Sequence, residues 1–331
     1  MKRLAIIGGG AWGTALAIVL APRFERVRLW VYEPDVAQRL QAERQNDTYL
    51  PSCPIPANVS ATSDLEAAVE DAEVVLSVMP SHHVRHIYTQ MLPFLKESMV
   101  FVSATKGLEV GTILRMSEIV RPLVKQFPVQ VAALSGPTFA KEVARGEPTA
   151  LVVASEDTEL NRRIQAAFSG PTFRVYTSPD TIGVEIGGAV KNVIAIGSGV
   201  IHGMGFGHNV TAALITRGLA EITRLAVAMG GRAQTLAGLA GLGDLVLTCT
   251  GELSRNRMVG IELARGRKLD EIVGSMKMVA EGIKTTDAAV ELARRFGVEM
   301  PITEQMYQML YHGVSPREAI RRLMERSLKE E

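Results

Sequence analysis

The first twenty residues constrain the fold more than any other stretch. An apolar run, Lys2-Arg3-Leu4-Ala5-Ile6-Ile7, passes straight into Gly8-Gly9-Gly10-Ala11-Trp12-Gly13, and Thr14 to Leu20 continue with the composition of a helix. The glycines follow the spacing G-x-G-x-x-G. In that setting Gly8 permits a tight turn out of the strand, Gly10 lets backbone approach a pyrophosphate, and Gly13 allows close packing of helix on sheet. The helix N-terminus adds unbonded N–H groups for an anion. With 30 glycines in 331 residues the spacing alone has little weight. Its place between strand and helix is what points to a dinucleotide. A glycine-rich turn without a ligand is the competing reading, and it leaves Gly10 without a reason.

Strands and helices keep alternating through the first half. Strands are predicted at Val27 to Val31, Glu73 to Met79 (stopped by Pro80), Met99 to Ser103, Val131 to Leu134, Ala150 to Ala154 and Phe173 to Tyr176. Helices are predicted at Asp64 to Val69, His82 to Leu95 and Thr112 to Gln126. Such alternation builds βαβ units and a mostly parallel sheet. Near Asp180 the pattern changes, and no strand is predicted from Ile182 onward. Asn209 to Met229 has apolar residues at helical period and ends at Gly230, and Glu281 to Phe296 ends the same way at Gly297. Ser315-Pro316-Arg317-Glu318 reads as a capping box with proline in the first helical position. The expected class is α/β, with a Rossmann-like, dinucleotide-binding domain over residues 1–180 and an all-helical substrate-binding domain over 181–331. The cleft between two such domains is the expected place for chemistry.

Composition narrows the partners. Lys plus Arg number 36 and Asp plus Glu 35, so a net charge of +1 offers no field for nucleic acid or an anionic membrane. Cys53 and Cys249 lie far apart without metal spacing, which suits a reducing cytoplasm. His82, His83 and His86 lack a carboxylate at metal spacing, so no metal is expected. No stretch approaches about 18 uninterrupted apolar residues, and a strand running into glycines is not the pattern of a signal peptide, so none is expected. A cytoplasmic protein that does not insert into membranes is the expectation.

Several polar residues stand in apolar surroundings. Lys191 and Asn192 interrupt Gly187 to Ile196, an otherwise apolar helix. A buried ammonium is costly unless paired. Lys191 either snorkels to the helix edge or sits beside a reacting oxygen with its pKa lowered by desolvation and neighbouring cations. Asp244, alone in Ala240 to Leu247, is either a helix cap or the partner of a buried cation, Lys191 being the candidate. Ser254-Arg255-Asn256-Arg257 fits a solvated charge run and a phosphate grip equally well. Lys106, in Ser103-Ala104-Thr105-Lys106-Gly107, ends a parallel strand, where open α/β sheets place ligands. Ser135-Gly136-Pro137-Thr138-Phe139-Ala140 ends the next strand, its small residues serving either ligand approach or a turn.

Taken in order over nearly the whole chain, these segments resemble the NAD(P)-dependent glycerol-3-phosphate dehydrogenases of bacterial type. The matching stretches include Gly8 to Thr14, Pro80-Ser81-His82, Ala104 to Glu109 and Ser135 to Glu142. Gly187 to Asn192, Ala240 to Leu245, Ser254 to Arg257, Val279 to Gly282 and Pro301 to Glu304 complete them. The resemblance implies that Lys191 is the general acid/base on the substrate C2 oxygen, supported by Lys106 and Asp244, with Asn192 and Thr248 nearby. It implies phosphate binding by Arg255 and Asn256, assisted by Ser254, Gly136 and Thr138. It also implies cofactor contacts from Ala11, Trp12, Lys106, Ala140, Arg255, Val279 and Glu281, beside Gly8, Gly10 and Gly13. The implied activity makes sn-glycerol 3-phosphate from dihydroxyacetone phosphate for phospholipid synthesis, in a homodimer. The second strand ends Trp30-Val31-Tyr32-Glu33. A carboxylate there suits a free ribose and repels a 2′-phosphate, which favours NAD, or use of both NAD and NADP, over NADP alone. Two rivals are a related hydroxyacid or phosphogluconate dehydrogenase and a non-catalytic dinucleotide sensor. The first leaves the Ser-Arg-Asn-Arg and Gly-Leu-Gly-Asp segments unexplained together, and intact Lys106, Lys191 and Asp244 argue against the second.

Overall fold

Alternate residues of the first strand are apolar on both sides. In β1 (Arg3–Ile7), Leu4 and Ile6 join one buried cluster while Ala5 and Ile7 join another. A strand apolar on both faces needs a cover on each, the condition met by parallel sheets between helical layers. The computed structural model describes all residues except 128–130, 277–279, 329 and 331. It divides into two units, Met1–Lys106 with Leu114–Glu185, and Gly107–Ile113 with Ile186–Glu331.

The first unit continues through α1 (Ala11–Leu20), β2 (Arg26–Trp30), α2 (Pro34–Glu43), β3 (Gln45–Asn46), β4 (Leu50–Pro54), β5 (Val59–Thr62), α3 (Leu65–Val69) and β6 (Val74–Ser77). Then come α4 (Val84–Met91), β7 (Val100–Ser103), α5 (Met116–Leu123), β8 (Val131–Ser135), α6 (Ala140–Ala144), β9 (Thr149–Ala154), α7 (Thr158–Phe168) and β10 (Phe173–Ser178). The main sheet has the order β10-β9-β8-β7-β6-β1-β2-β5. Every neighbouring pair in it is parallel except β8 with β9. The chain moves from β1 outward to β2 and β5, then returns to β6 on the other side of β1. That reversal opens a crevice at the carboxyl ends of β1 and β6, the usual ligand position in open α/β sheets. The hairpin β3–β4 stands outside the main sheet.

Two predicted helices need correction. Residues Thr112 to Gln126 are helical only over α5. Ile113 has a positive φ of 55°, and Arg115 is extended as the N-cap, closing a reciprocal capping box with Glu118. The stretch His82 to Leu95 divides into a 3₁₀ turn (Ser81–His83), α4 and a second 3₁₀ turn at Leu92–Phe94, where Pro93 removes a helical donor. The elements α2, β3, β4, β5, α6 and α7 had no counterpart in the sequence reading.

The next helix, α8 (Thr181–Gly203), begins in the first unit and continues into the second. In the first unit the Glu185 carboxylate accepts from Arg115 Nη1 at 2.7 Å, Ser117 N at 2.8 Å and Ser117 Oγ at 2.7 Å. Among the described residues α8 alone is long and apolar enough to cross a membrane, yet its apolar window is wholly buried in the protein. The second unit adds α9 (His208–Ala228), α10 (Ala233–Leu236), a π turn at Leu239–Gly243, α11 (Asp244–Thr250), α12 (Arg255–Ala264), α13 (Leu269–Gly274), α14 (Glu281–Phe296), α15 (Pro301–His312) and α16 (Pro316–Met324). No strand follows Ser178 among the described residues. Helices α8 and α12 meet backbone to backbone. A Cβ on Gly199 would fall 1.9 Å from the Arg257 carbonyl oxygen, and one on Gly260 the same distance from that of Ile196.

Glu221 shows how the helical unit closes. It lies on α9 with 1% exposure, and its carboxylate accepts from Ile302 N (2.7 Å), Thr303 N (3.1 Å) and Thr303 Oγ1 (3.1 Å) at the start of α15. Replacing it by alanine strands two amides and a hydroxyl. We expect Glu221→Ala to lower the unfolding free energy by about 2–3 kcal/mol in urea titration; an unchanged midpoint would mean that water takes over the acceptor role.

Candidate active site

At the carboxyl end of β1 the three motif glycines have different reasons. Gly8 has φ +128°, and a Cβ there would lie 2.8 Å from the carbonyl of Val78. A Cβ on Gly13 would lie 1.8 Å from the Gly8 oxygen. Both are required by the protein's own packing. Gly10 is not: nothing lies within 4 Å of its Cβ position, and as N-cap of α1 it offers no side chain to the free amides. An open, uncapped helix start fits the pyrophosphate of a dinucleotide. Ala11 and Trp12 form the first turn, and the buried Trp12 Nε1 has no hydrogen-bond partner among the described residues. Beyond β2, Tyr32 is 73% exposed and stands edge-on to Trp30, with Glu33 as N-cap of α2.

Lys106, past the end of β7, donates to the Gly136 carbonyl at 2.9 Å and lies 3.5 Å from Thr138 Oγ1. The structure thus gathers Lys106, Gly136 and Thr138 at adjacent strand ends. Gly136 also serves packing, since a Cβ would lie 2.8 Å from Leu151 Cα of β9. Ala140 opens α6 and packs on the apolar cluster that includes α1.

In the second unit Lys191 is 6% exposed and does not snorkel. Its ammonium donates to Asp244 Oδ1 at 2.5 Å and Thr248 Oγ1 at 2.6 Å. Asp244 and Thr248 stand one turn apart on α11, so one helix face presents both acceptors. The Thr248 hydroxyl donates a hydrogen bond to the Asp244 carbonyl oxygen (2.6 Å), which leaves a lone pair for the lysine. Asp244 is 1% exposed and is the first residue of α11, with Gly243 as the N-cap. Of its two readings, the pair with Lys191 is the one the geometry realises.

Ser254 is the N-cap of α12, its hydroxyl accepting from Arg257 N at 3.2 Å. Asn256 is engaged within the protein: it donates to Asn192 Oδ1 and accepts from Gly282 N, both at 2.9 Å. That chain ties α12 to α8 and α14. Arg255 keeps an exposed face while burial of its guanidinium lowers its pKa from the arginine range, with Glu281 pulling it back. An arginine with an open face offers an anion a fork of donors. Val279 lies outside the described residues. The sequence reading missed Asn46 and Tyr49, which touch the glycine loop and Glu33; the two-residue β3 left no period to find.

The glycine loop and the buried lysine together mark a dinucleotide-dependent oxidoreductase. Sequence models described as the N-terminus and C-terminus of NAD-dependent glycerol-3-phosphate dehydrogenase match residues 3–161 and 180–321. A glycerol-3-phosphate dehydrogenase (NAD(P)+) of Koribacter versatilis is 60% identical, with 98% of each chain covered. Its counterpart in Citrifermentans bemidjiense is 53% identical over 100% of this chain and 99% of its own. The crystal structure of glycerol-3-phosphate dehydrogenase from Coxiella burnetii, at 42% identity, has a TM-score of 0.94 over 98% of this chain and 99% of that one. The chain belongs to the NAD-dependent glycerol-3-phosphate dehydrogenase family.

The buried pair has a stability signature of its own. Removing either partner strands the other charge, so Lys191→Ala and Asp244→Ala are each expected to cost about 3–5 kcal/mol in denaturant unfolding. The double variant Lys191→Met/Asp244→Leu is expected to regain most of that loss. Equal destabilisation of the double and single variants would contradict this account.

Proposed function

We propose that this chain catalyses reversible hydride transfer between NAD(P)H and dihydroxyacetone phosphate, yielding sn-glycerol 3-phosphate for glycerophospholipid synthesis. The observation that carries the catalytic assignment is Lys191 held between Asp244 and Thr248 in a site nearly closed to water. Residues 1–180 form the dinucleotide-binding domain and residues 181–331 the helical domain that carries the catalytic lysine, each also lending residues to the other's ligand. Gly8, Gly10, Ala11, Trp12 and Gly13 receive the pyrophosphate, with Tyr32, Lys106, Ala140, Arg255, Val279 and Glu281 contacting the rest of the cofactor. The bound nicotinamide supplies the hydride.

Lys191 delivers a proton to the substrate C2 oxygen as negative charge develops there, and takes it back in the oxidative direction. Asp244 and Thr248 hold the Nζ in place, and Asn192 supports the same helix face. Lys106 assists at the carbonyl oxygen. Arg255 grips the phosphate at the far end of the substrate, with Ser254, Asn256, Gly136 and Thr138 around it, so C2 is fixed by remote binding. The protein acts as a homodimer in the cytoplasm. Exposed Phe206, Val210 and Val227 in the helical unit support the first reading, and the free, buried Cys53 and Cys249 support the second.

Absorbance assays with dihydroxyacetone phosphate test the reaction. Wild type is expected to oxidise NADH, and Lys191→Ala to lose about 10²–10⁴-fold in kcat while still binding cofactor. Tight cofactor binding without wild-type turnover would overturn the substrate assignment. Glu33 leads us to expect a higher kcat/KM with NADH than with NADPH, and a clear NADPH preference would refute that reading. For Arg255→Ala the expectation is a rise in KM for dihydroxyacetone phosphate of at least about tenfold; an unchanged KM would remove Arg255 from the phosphate site.

A further inference from the structure

The β3–β4 hairpin sends two side chains to the dinucleotide loop and its neighbour. Asn46, 1% exposed, donates to the Gly9 carbonyl at 2.9 Å and to Thr14 Oγ1 at 2.8 Å. Three residues on, the Tyr49 amide donates to Asn46 Oδ1 at 3.1 Å, and the Tyr49 hydroxyl donates to Glu33 Oε1 at 2.7 Å. One turn therefore braces the glycine loop and the carboxylate beyond β2 through a single connected set of bonds.

The short polar side chains usual at an N-cap are held by the amides of their own helix, whereas a glutamate is one methylene longer and can reach elsewhere. Glu33 makes no such bond to α2. Its one hydrogen bond from the described residues comes from Tyr49, and its second carboxylate oxygen accepts none of them. Burial and the adjoining carboxylate push the Tyr49 hydroxyl up to about 12, so it remains a donor at neutral pH. A flexible side chain with one oxygen fixed has its other oxygen aimed. Orientation of that kind lowers the entropy lost when a ligand hydroxyl binds.

We propose that Tyr49 is a specificity-determining positioning residue. By holding one oxygen of Glu33 it presents the other to the ribose hydroxyls of an NAD-type cofactor and keeps negative charge against the 2′-phosphate of an NADP-type cofactor. This rests on the reading of the loop as the dinucleotide site. A tyrosine that merely clipped the hairpin to β2 would affect both cofactors alike.

Steady-state kinetics of wild type, Tyr49→Phe, Glu33→Gln and the double variant separate these roles. Phenylalanine keeps the ring and removes the donor. Tyr49→Phe is expected to lower the ratio of kcat/KM for NADH to that for NADPH by about five- to tenfold, through the KM for NADH. Its kcat and its KM for dihydroxyacetone phosphate are expected to hold within about twofold. In the Glu33→Gln background the same change should add little, since the two side chains act as one unit. An unchanged cofactor ratio, an equal change for both cofactors, or an undiminished effect without Glu33 would each overturn the proposal while leaving the reaction intact. Absence of wild-type turnover with either cofactor would instead remove the functional reading, and the proposal with it.

Discussion

Burial of the parallel sheet on both faces governs the architecture of the first unit. A strand such as β1, apolar at successive positions, is stable only between two layers. Parallel neighbours in turn require crossovers, and every crossover leaves from a carboxyl end. The glycine loop after β1, Pro80 beyond β6, Lys106 beyond β7 and Gly136 after β8 therefore collect along one edge without any interaction that selects them individually. The reversal beside β1 separates the connections enough to admit a ligand. Location of the site follows from topology, and side chains only refine it.

The helical unit obeys a different constraint. Its core contains polar groups that cost free energy unless each finds a partner. Lys191 finds Asp244 and Thr248, Asn192 finds Asn256, and Glu221 finds the start of α15. Each bond joins helices distant in sequence. The close contact of Gly199 with Gly260 brings α8 and α12 near enough for the asparagine pair to form. Placement of the buried lysine and packing of the helices are thus the same set of contacts seen from two sides.

What the sequence disclosed follows from this division. Strands buried on both faces appear as apolar runs, which made β1, β6, β7, β8 and β9 legible, while β2 and the edge strand β10 showed as apolar residues alternating with Arg28 and Arg174. The edge strand β5 reads Val-Ser-Ala-Thr, half polar, and carried no such signal. Gly230 and Gly297 marked helix ends because left-handed or turn backbone favours glycine there. The helix expected from Thr112 failed because Ile113 adopts a positive φ that nothing in its chemistry announces. Lys191 and Asp244 were conspicuous as charges in apolar runs, and their pairing across 53 residues required only that each be buried. Asn46 and Tyr49 were invisible, being polar residues in a polar turn whose partners are brought to them by the fold.

The hairpin that carries those two residues contributes no strand to the main sheet. Its ties to the rest of the first unit are of two kinds: directional bonds from Asn46 and Tyr49 to the glycine loop and Glu33, and burial of Leu50 and Cys53 in the apolar cluster beneath the sheet. Neighbouring residues of one short turn thus carry different duties, one pair anchoring the hairpin in the core and the other tying it to the glycine loop and to Glu33.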